Sequence, residues 1–544
     1  MSLLAVDNLT VSIGSTPILK GVSLGLERGE VLGLVGESGS GKSMTALSIM
    51  RLLPERAVAG GRVTLDGADL MALDERSMCG HRGRTLGMVF QEPMSALNPV
   101  KTIGAQVAET VRVHRGASQA EAAEMAREAL DRVGLPASRF PLDRYPHELS
   151  GGQRQRVVIA MATVLKPKLL IADEPTTAVD VTTQIRILDL LRRLVLEDNV
   201  GLILISHDLA VVADMADRIT IMKDGEIVES GETVSLFRGM QNPYSRMLFA
   251  ASTYRSQRVR RLRADEGHRA PILDVSGVVQ EYRLPRQGLF EKPARFRAVD
   301  DVGFTIRRGE NLGLVGESGS GKSTLARVIL ALAKPDAGAV ALDGSDFLAS
   351  RGQARRDLRR HVQAVFQDPY GSLDPRYKVA RVIAEPLHLD RSKPSAAERR
   401  RRVDEALTAV GLTAEDGDKY PHEFSGGERQ RLAIARALIT RPSLIVLDEA
   451  VSALDVSIRT QILDLLADLG DRFAVSYLFI SHDLMVVRAI TDRVVIMRAG
   501  RIVEHGETEQ VFSHPSHPYT AELIAETPNL ERALAARYQR AAAP

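Results

Sequence analysis

GESGSGKS runs from Gly36 to Ser43 and recurs, letter for letter, from Gly316 to Ser323. Each copy fits G-x-x-x-x-G-K-[ST], a pattern whose glycines let consecutive backbone N–H groups turn inward around phosphate oxygens, at the positive end of the helix that follows. The pattern has this meaning only between a strand and a helix. Val31 to Val35 is a compact apolar stretch leading straight into the first copy, and Ala46, Ile49, Met50 and Leu53 beyond it fall at helical spacing and predict a helix that stops at Pro54. In that setting Lys42 and Lys322 would reach the β and γ phosphates, and Ser43 and Ser323 would ligate Mg²⁺.

The landmarks around the two copies keep step with each other. Lys322 follows Lys42 by 280 positions, Gln367 follows Gln91 by 276, and His482 follows His207 by 275. An offset that drifts so little over a whole half marks a duplicated domain. The 544 residues accordingly divide into a first nucleotide-binding domain with a short tail (1–250), a polar, basic linker (251–270), a second domain (271–515) and a C-terminal tail (516–544). RVRRLR at Arg258 to Arg263 reads as solvated linker, and ERRRR at Glu398 to Arg402 as an exposed helix face.

Composition narrows the classes. With 71 basic and 69 acidic residues the formal charge is +2, so no global field draws the chain to nucleic acid or anionic lipid. The single cysteine, Cys79, cannot form an internal disulfide or hold an iron–sulfur cluster, and the start MSLLAVDNLTV lacks a signal-peptide pattern, which together lead us to expect a reducing cytosol. Apolar runs such as Val200 to Ile205 fall far short of the roughly 20 residues that cross a bilayer. Any span across a membrane is expected from a partner.

The secondary-structure signals agree. Leu3 to Val31 alternates apolar and polar residues around turn signals at Gly14 to Pro17 and Arg28-Gly29, predicting antiparallel strands. From Gln91 to about Lys166 the pattern is helical and charged, clearest at Glu121 to Leu130, an inserted helical subdomain. Leu169 to Ala172 and Leu202 to Ile205 are wholly apolar, as strands of a parallel sheet buried on both faces are. Asp224-Gly225 in IMKDGEIVESG predicts a hairpin.

Chemistry gathers where these strands end. The first apolar strand ends in Asp173-Glu174, and its twin, Leu444 to Leu447, in Asp448-Glu449. Beside a phosphate loop, such an aspartate can hold Mg²⁺ and the glutamate can polarise a water for in-line attack on a γ-phosphate. LSGGQRQR contributes Ser150, Gly151, Gly152 and Gln153; FSGGERQR contributes Ser425, Gly426, Gly427 and Glu428. Each set opens an amphipathic helix and makes a further N-terminus with exposed N–H groups. Four anion-binding helix ends for two nucleotides suit a head-to-tail sandwich, each ATP lying between one half's loop and the other half's Ser-Gly-Gly.

Phosphate loop, glutamine, Ser-Gly-Gly, Asp-Glu pair and terminal histidine together resemble the nucleotide-binding subunits of ATP-binding cassette (ABC) transporters, over both halves. The resemblance implies an α/β fold of two tandem P-loop domains, each with a mixed or parallel sheet core, an antiparallel β subdomain and a helical subdomain. It implies ATP and Mg²⁺ as cofactors, with nucleotide contacts from Gly36, Glu37, Ser38, Gly39, Ser40, Gly41, Lys42 and Ser43, and from Gly316, Glu317, Ser318, Gly319, Ser320, Gly321, Lys322 and Ser323. Gln91 and Gln367 would sense Mg²⁺ and relay to a permease, His207 and His482 would contact the γ-phosphate, and Asp180 and Asp455 match the loop that crosses between halves. Tyr282 meets the family's adenine-stacking aromatic, with Ile13 in the comparable place of the first half; Glu428 replaces the usual glutamine and Ala450 the usual proline, seen as Pro175. FQEPMSALNP, FQDPYGSLDP, NPYSRML at Asn242 and HPYTAEL at His517 resemble the dipeptide and oligopeptide importers, here with two ATPase subunits fused. That branch implies two separate transmembrane permeases, an extracytoplasmic solute-binding protein, no nucleic acid, and a peripheral place on the cytoplasmic face of the cell membrane. Its solutes include peptides, glutathione, nickel complexes and opines. A soluble twin-cassette factor acting on ribosomes or DNA is the alternative; such factors carry a long charged helical linker, unlike the short irregular stretch here.

Overall fold

The computed structural model of the chain describes residues 2–542 apart from 92, 177–178, 254–269, 284–294, 392 and 453. The basic run at Arg258 to Arg263 lies outside the described residues. Contacts define two compact units: Met1–Thr253 with Asp455–Ser457 and Pro528–Pro544, and Tyr254–Leu454 with Ile458–Thr527.

The strands of the first unit are β1 (Ser2–Ile13), β2 (Thr16–Glu27), β3 (Val31–Val35), β4 (Ala57–Leu65), β5 (Ala68–Asp69), β6 (Leu86–Val89), β7 (Leu169–Asp173), β8 (Gly201–Ile205), β9 (Arg218–Lys223) and β10 (Glu226–Glu232). They form an antiparallel sheet ordered β2-β1-β4-β5 and a six-stranded sheet ordered β10-β9-β3-β8-β7-β6. The larger sheet is parallel except for β10, which turns back on β9 through Asp224 and Gly225, both at positive φ, as the hairpin signal predicts. Both faces are buried. Val31, Leu170, Ala172, Leu202 and Leu204 pack into one core, and Leu32, Leu169, Ile171, Ile203 and Ile205 into the other, so alternate side chains serve opposite faces and these strands are apolar up to the Asp173 that ends β7. The charged region after β6 folds as helices Ile103–Arg115, Gln119–Arg132 and Gly151–Thr163, packed together over the first of these cores.

The second unit repeats the plan with β11 (Pro271–Arg283), β12 (Arg295–Arg307), β13 (Asn311–Val315), β14 (Ala337–Leu342), β15 (Ser345–Asp346), β16 (Val362–Val365), β17 (Leu444–Asp448), β18 (Ser476–Ser481), β19 (Arg493–Arg498) and β20 (Arg501–Glu507). Its sheets are ordered β12-β11-β14-β15 and β16-β17-β18-β13-β19-β20. The ERRRR run lies on helix Ala396–Ala409, where Arg401 and Arg402 pair with Glu398.

Two features differ from the sequence expectation. The helix after the first phosphate loop ends at Ile49 rather than at Pro54, because Arg51 turns to φ 52° and the Leu52 N–H bonds back to the Leu47 carbonyl at 2.8 Å. The last helix, Leu530–Ala542, belongs to the first unit. There Leu530 and Leu534 are buried in the core that holds the helix Leu209–Met215, Arg537 donates to the Asp214 carbonyl at 3.0 Å, and the Arg238 guanidinium sits 4.5 Å from the Tyr538 ring centre. No helix among the described residues is long and apolar enough to cross a membrane.

Candidate nucleotide site

In the first unit β3, β8 and β7 are neighbours, so their carboxyl ends open side by side, where ligands bind in open α/β sheets. The phosphate loop follows β3, His207 follows β8, and Asp173 and Glu174 close β7. Gly41 caps the loop's helix at φ 102°, and a Cβ there would lie 2.6 Å from a Leu19 methyl, so both conformation and space require glycine. Lys42, only 6% exposed, donates its ammonium to the carbonyls of Gly36 at 2.7 Å and Glu37 at 2.8 Å. Burial lowers its pKa. The Ser43 hydroxyl donates to Asp173 Oδ1 at 3.2 Å, and burial raises the Asp173 pKa. Glu174 is held from two sides: Gln91 Nε2 donates to its Oε2 at 2.9 Å, and His207 Nδ1 lies 3.2 Å from its Oε1.

The second unit repeats this order with β13, β18 and β17. Lys322, 5% exposed, donates to Gly316 at 2.6 Å and Glu317 at 2.9 Å. Glu449 Oε1 lies 3.1 Å from His482 Nδ1. Burial acts to raise Glu449, but the hydrogen bond and charge of His482 outweigh it and the pKa is lowered; for His482 burial is likewise outweighed by Glu449, and the pKa is raised. Ser323 is exposed at the start of its helix and Gln367 is exposed beyond β16. Both glutamates adopt left-handed backbone, φ 46° at Glu174 and 51° at Glu449, held by N–H bonds to the last carbonyl region of the neighbouring strand, Ile205 at 3.0 Å and Ile480 at 2.9 Å. Such backbone is uncommon away from glycine and clusters at functional sites. No letter of the sequence announces it.

These groups suit a magnesium nucleotide. Among the described residues the N–H groups of Gly41, Lys42 and Ser43 have no protein acceptor, and Asp448 Oδ1 is buried without a partner. A hydroxyl and one carboxylate match a metal that keeps waters and takes phosphate oxygens, and no cluster of three or more His, Cys, Asp or Glu forms a dedicated metal cage among the described residues.

Ser150 and Ser425 N-cap the helices Gly151–Thr163 and Gly426–Leu438, each accepting from the N–H three residues on. A Cβ at Gly152 would stand 2.1 Å from Thr183 Cγ2, and one at Gly427 2.7 Å from Ile458 Cγ2, so this glycine is required by helix packing. Asp180 N-caps the helix Val181–Asp198 within the first unit, and Asp455, also of that unit, accepts from the Ser38 N–H at 2.9 Å. Tyr282 stands 42% exposed on β11 opposite Phe296, and Ile13 ends β1 opposite Thr16.

The fold is that of an ATP-binding cassette. The ABC transporter family model matches residues 19–177 and 299–452, and the chain belongs to that family; it is an ATPase built of two cassettes. A second model, the C-terminal region of oligopeptide/dipeptide transporters, matches residues 503–543. The chain is 46% identical, over 94% of its length and 86% of the relative's, to the glutathione import ATP-binding protein GsiA of Salmonella paratyphi A. To the protein of the same name from Escherichia coli (strain K12) it is 44% identical, over 97% of its length and 90% of the relative's.

Proposed function

We propose that the chain is the ATP-hydrolysing subunit of an importer, working at the cytoplasmic face of the membrane with two permease subunits and an extracytoplasmic solute-binding protein. The solute is a peptide or peptide-like molecule, glutathione before others, since the named relatives import it and the oligopeptide-type C-terminal region is present. The observation that carries the reading is the repeated cluster of buried lysine, aspartate and histidine-bound glutamate at the carboxyl ends of adjacent parallel strands. Lys42 and Lys322 neutralise the β and γ phosphates. Ser43, Asp173 and Gln91, with Ser323, Asp448 and Gln367, hold Mg²⁺, which screens the phosphate charge when bound. Glu174 and Glu449 orient the attacking water and take its proton, and His207 and His482 fix those carboxylates and reach toward the γ-phosphate. The surfaces around Gln91 and Gln367 pass the change to the permeases.

In the purified full chain, Glu174→Gln and Glu449→Gln should each lower ATP turnover by about a hundredfold at the altered site while leaving ATP binding in place. Turnover at the wild-type rate in either variant removes the assigned role. In cells the double variant should abolish uptake of labelled glutathione; undiminished uptake would refute the coupling.

A further inference from the structure

Two motifs that lie about 200 residues from the phosphate loops in sequence end inside them. Asn242 and His517 N-cap the helices Pro243–Ser252 and Pro518–Glu526, each accepting the N–H of a tyrosine, Tyr244 at 2.9 Å and Tyr519 at 3.1 Å. The turn before each helix is pinned to the hairpin β9–β10 or β19–β20 by a carboxylate: Glu229 accepts from Gln241 and Asn242, and Glu504 from Ser516 and His517. Each tyrosine is buried, at 8% and 2% exposure, with a cation against its ring: Lys223 at 5.1 Å over Tyr244, Arg498 at 4.6 Å over Tyr519. Each hydroxyl oxygen accepts the backbone N–H of the second phosphate-loop residue, Glu37 or Glu317, at 3.1 Å.

The partner atom is telling. The N–H of Glu37 and the carbonyl of Gly36 belong to one peptide group, and that carbonyl accepts from Lys42. Gly316 and Glu317 share a peptide in the same way, and Lys322 donates to its carbonyl. Lysine and tyrosine therefore hold opposite ends of a single peptide plane in both units. If the lysine turns to a phosphate, the carbonyl end is released while the tyrosine still holds the N–H end of the plane. We propose that Tyr244 and Tyr519 are positioning residues for ATP, fixing the entry peptide of each phosphate loop so that the cradle stays formed when the lysine leaves it for the nucleotide. The Pro-Tyr tails are thereby part of the nucleotide sites. The inference rests on the ATPase reading above.

Tyr244→Phe and Tyr519→Phe keep the ring and its packing and delete the hydroxyl, which accepts the loop N–H and, in Tyr244, also donates to Glu37 Oε2 at 3.2 Å. In the full chain, MgATP affinity by calorimetry, steady-state kinetics and the nucleotide-free unfolding midpoint separate the outcomes. Each variant should bind MgATP about three- to tenfold more weakly at one of two sites, with kcat changed by less than about twofold and the unfolding midpoint lowered by no more than about 4 °C, the shift that a lost buried hydrogen bond entails. The double variant should show the loss at both sites. Wild-type affinity in both single variants would overturn the proposal, as would an affinity loss that only tracks a lowered midpoint. If the unaltered chain bound no MgATP, the ATPase reading itself would fail; normal binding and turnover in the unaltered chain with unchanged Phe variants would sink the tyrosine role alone.

Discussion

The two Ser-Gly-Gly helix ends have the same backbone and different proton arrangements. In both, the serine oxygen accepts the N–H of the third helical residue, and that residue's side chain accepts the serine N–H, at 2.9 Å from Gln153 and at 2.9 Å from Glu428. Glu428 takes one thing more: the Ser425 hydroxyl donates to its Oε2 at 2.7 Å, and these bonds hold the Glu428 carboxyl below the usual carboxylate range. Gln153 leaves the Ser150 hydroxyl proton without such an acceptor. A charged acceptor at this position improves the cap and suits the helix dipole. For an anion approaching the same end it removes a donor and adds a negative charge. The identical phosphate loops thus sit in a chain whose two Ser-Gly-Gly helix ends are not alike, and one letter makes the difference.

The largest expected effects are at the lysines. On the proposed role of the lysines, Lys42→Ala and Lys322→Ala would each remove charge-assisted bonds to phosphate, and each should weaken ATP binding at its own loop by roughly tenfold to a hundredfold. The two losses should be unequal in affinity and in turnover; equal losses, measured by nucleotide titration of the two single variants, would break the comparison. A smaller effect is expected from exchanging the caps. Glu428→Gln should free the Ser425 hydroxyl and raise ATP affinity about two- to fivefold, while Gln153→Glu should lower it by a similar factor, a single hydrogen bond being at stake. Movement in the same direction for both exchanges would show that the carboxylate acts on the helix and not on the nucleotide.

What the sequence makes legible follows from local rules. The strands β3 and β8, and β7 as far as Ala172, are apolar because both faces are buried, and glycine patterns mark the loops because no other residue fits at Gly41. Both are one-dimensional signals. The end of the helix at Ile49 is not, since apolar periodicity runs on through Leu53 while a left-handed Arg51 turns the backbone away. Three further features depend on contacts across the fold: the left-handed backbone of Glu174 and Glu449, the reach of Tyr244 back to Glu37 across 207 positions, and the placement of Leu530 and Leu534 in the first unit's core. A proline-tyrosine turn reads as a turn until the tertiary structure shows what its hydroxyl touches.

The finest asymmetry lies at the ends of β1 and β11. Tyr282 and its cross-strand neighbour Phe296 keep 42% and 51% of their surface exposed, so an aromatic face is available for a purine ring, whereas Ile13 pairs with Thr16 and offers no ring. Stacking on an aromatic face contributes about 1 kcal/mol beyond area burial, close to a fivefold change in affinity. Tyr282→Ala should therefore weaken ATP binding at one of two sites about fivefold, and Ile13→Tyr should strengthen binding at the other by a comparable factor. On the reading that the ring meets the base and not the phosphates, the dissociation constant of inorganic triphosphate should be the same in both variants and in the unaltered chain. A changed triphosphate dissociation constant would place the effect in the loop, and an unchanged ATP affinity in Tyr282→Ala would make the ring a surface feature of the sheet.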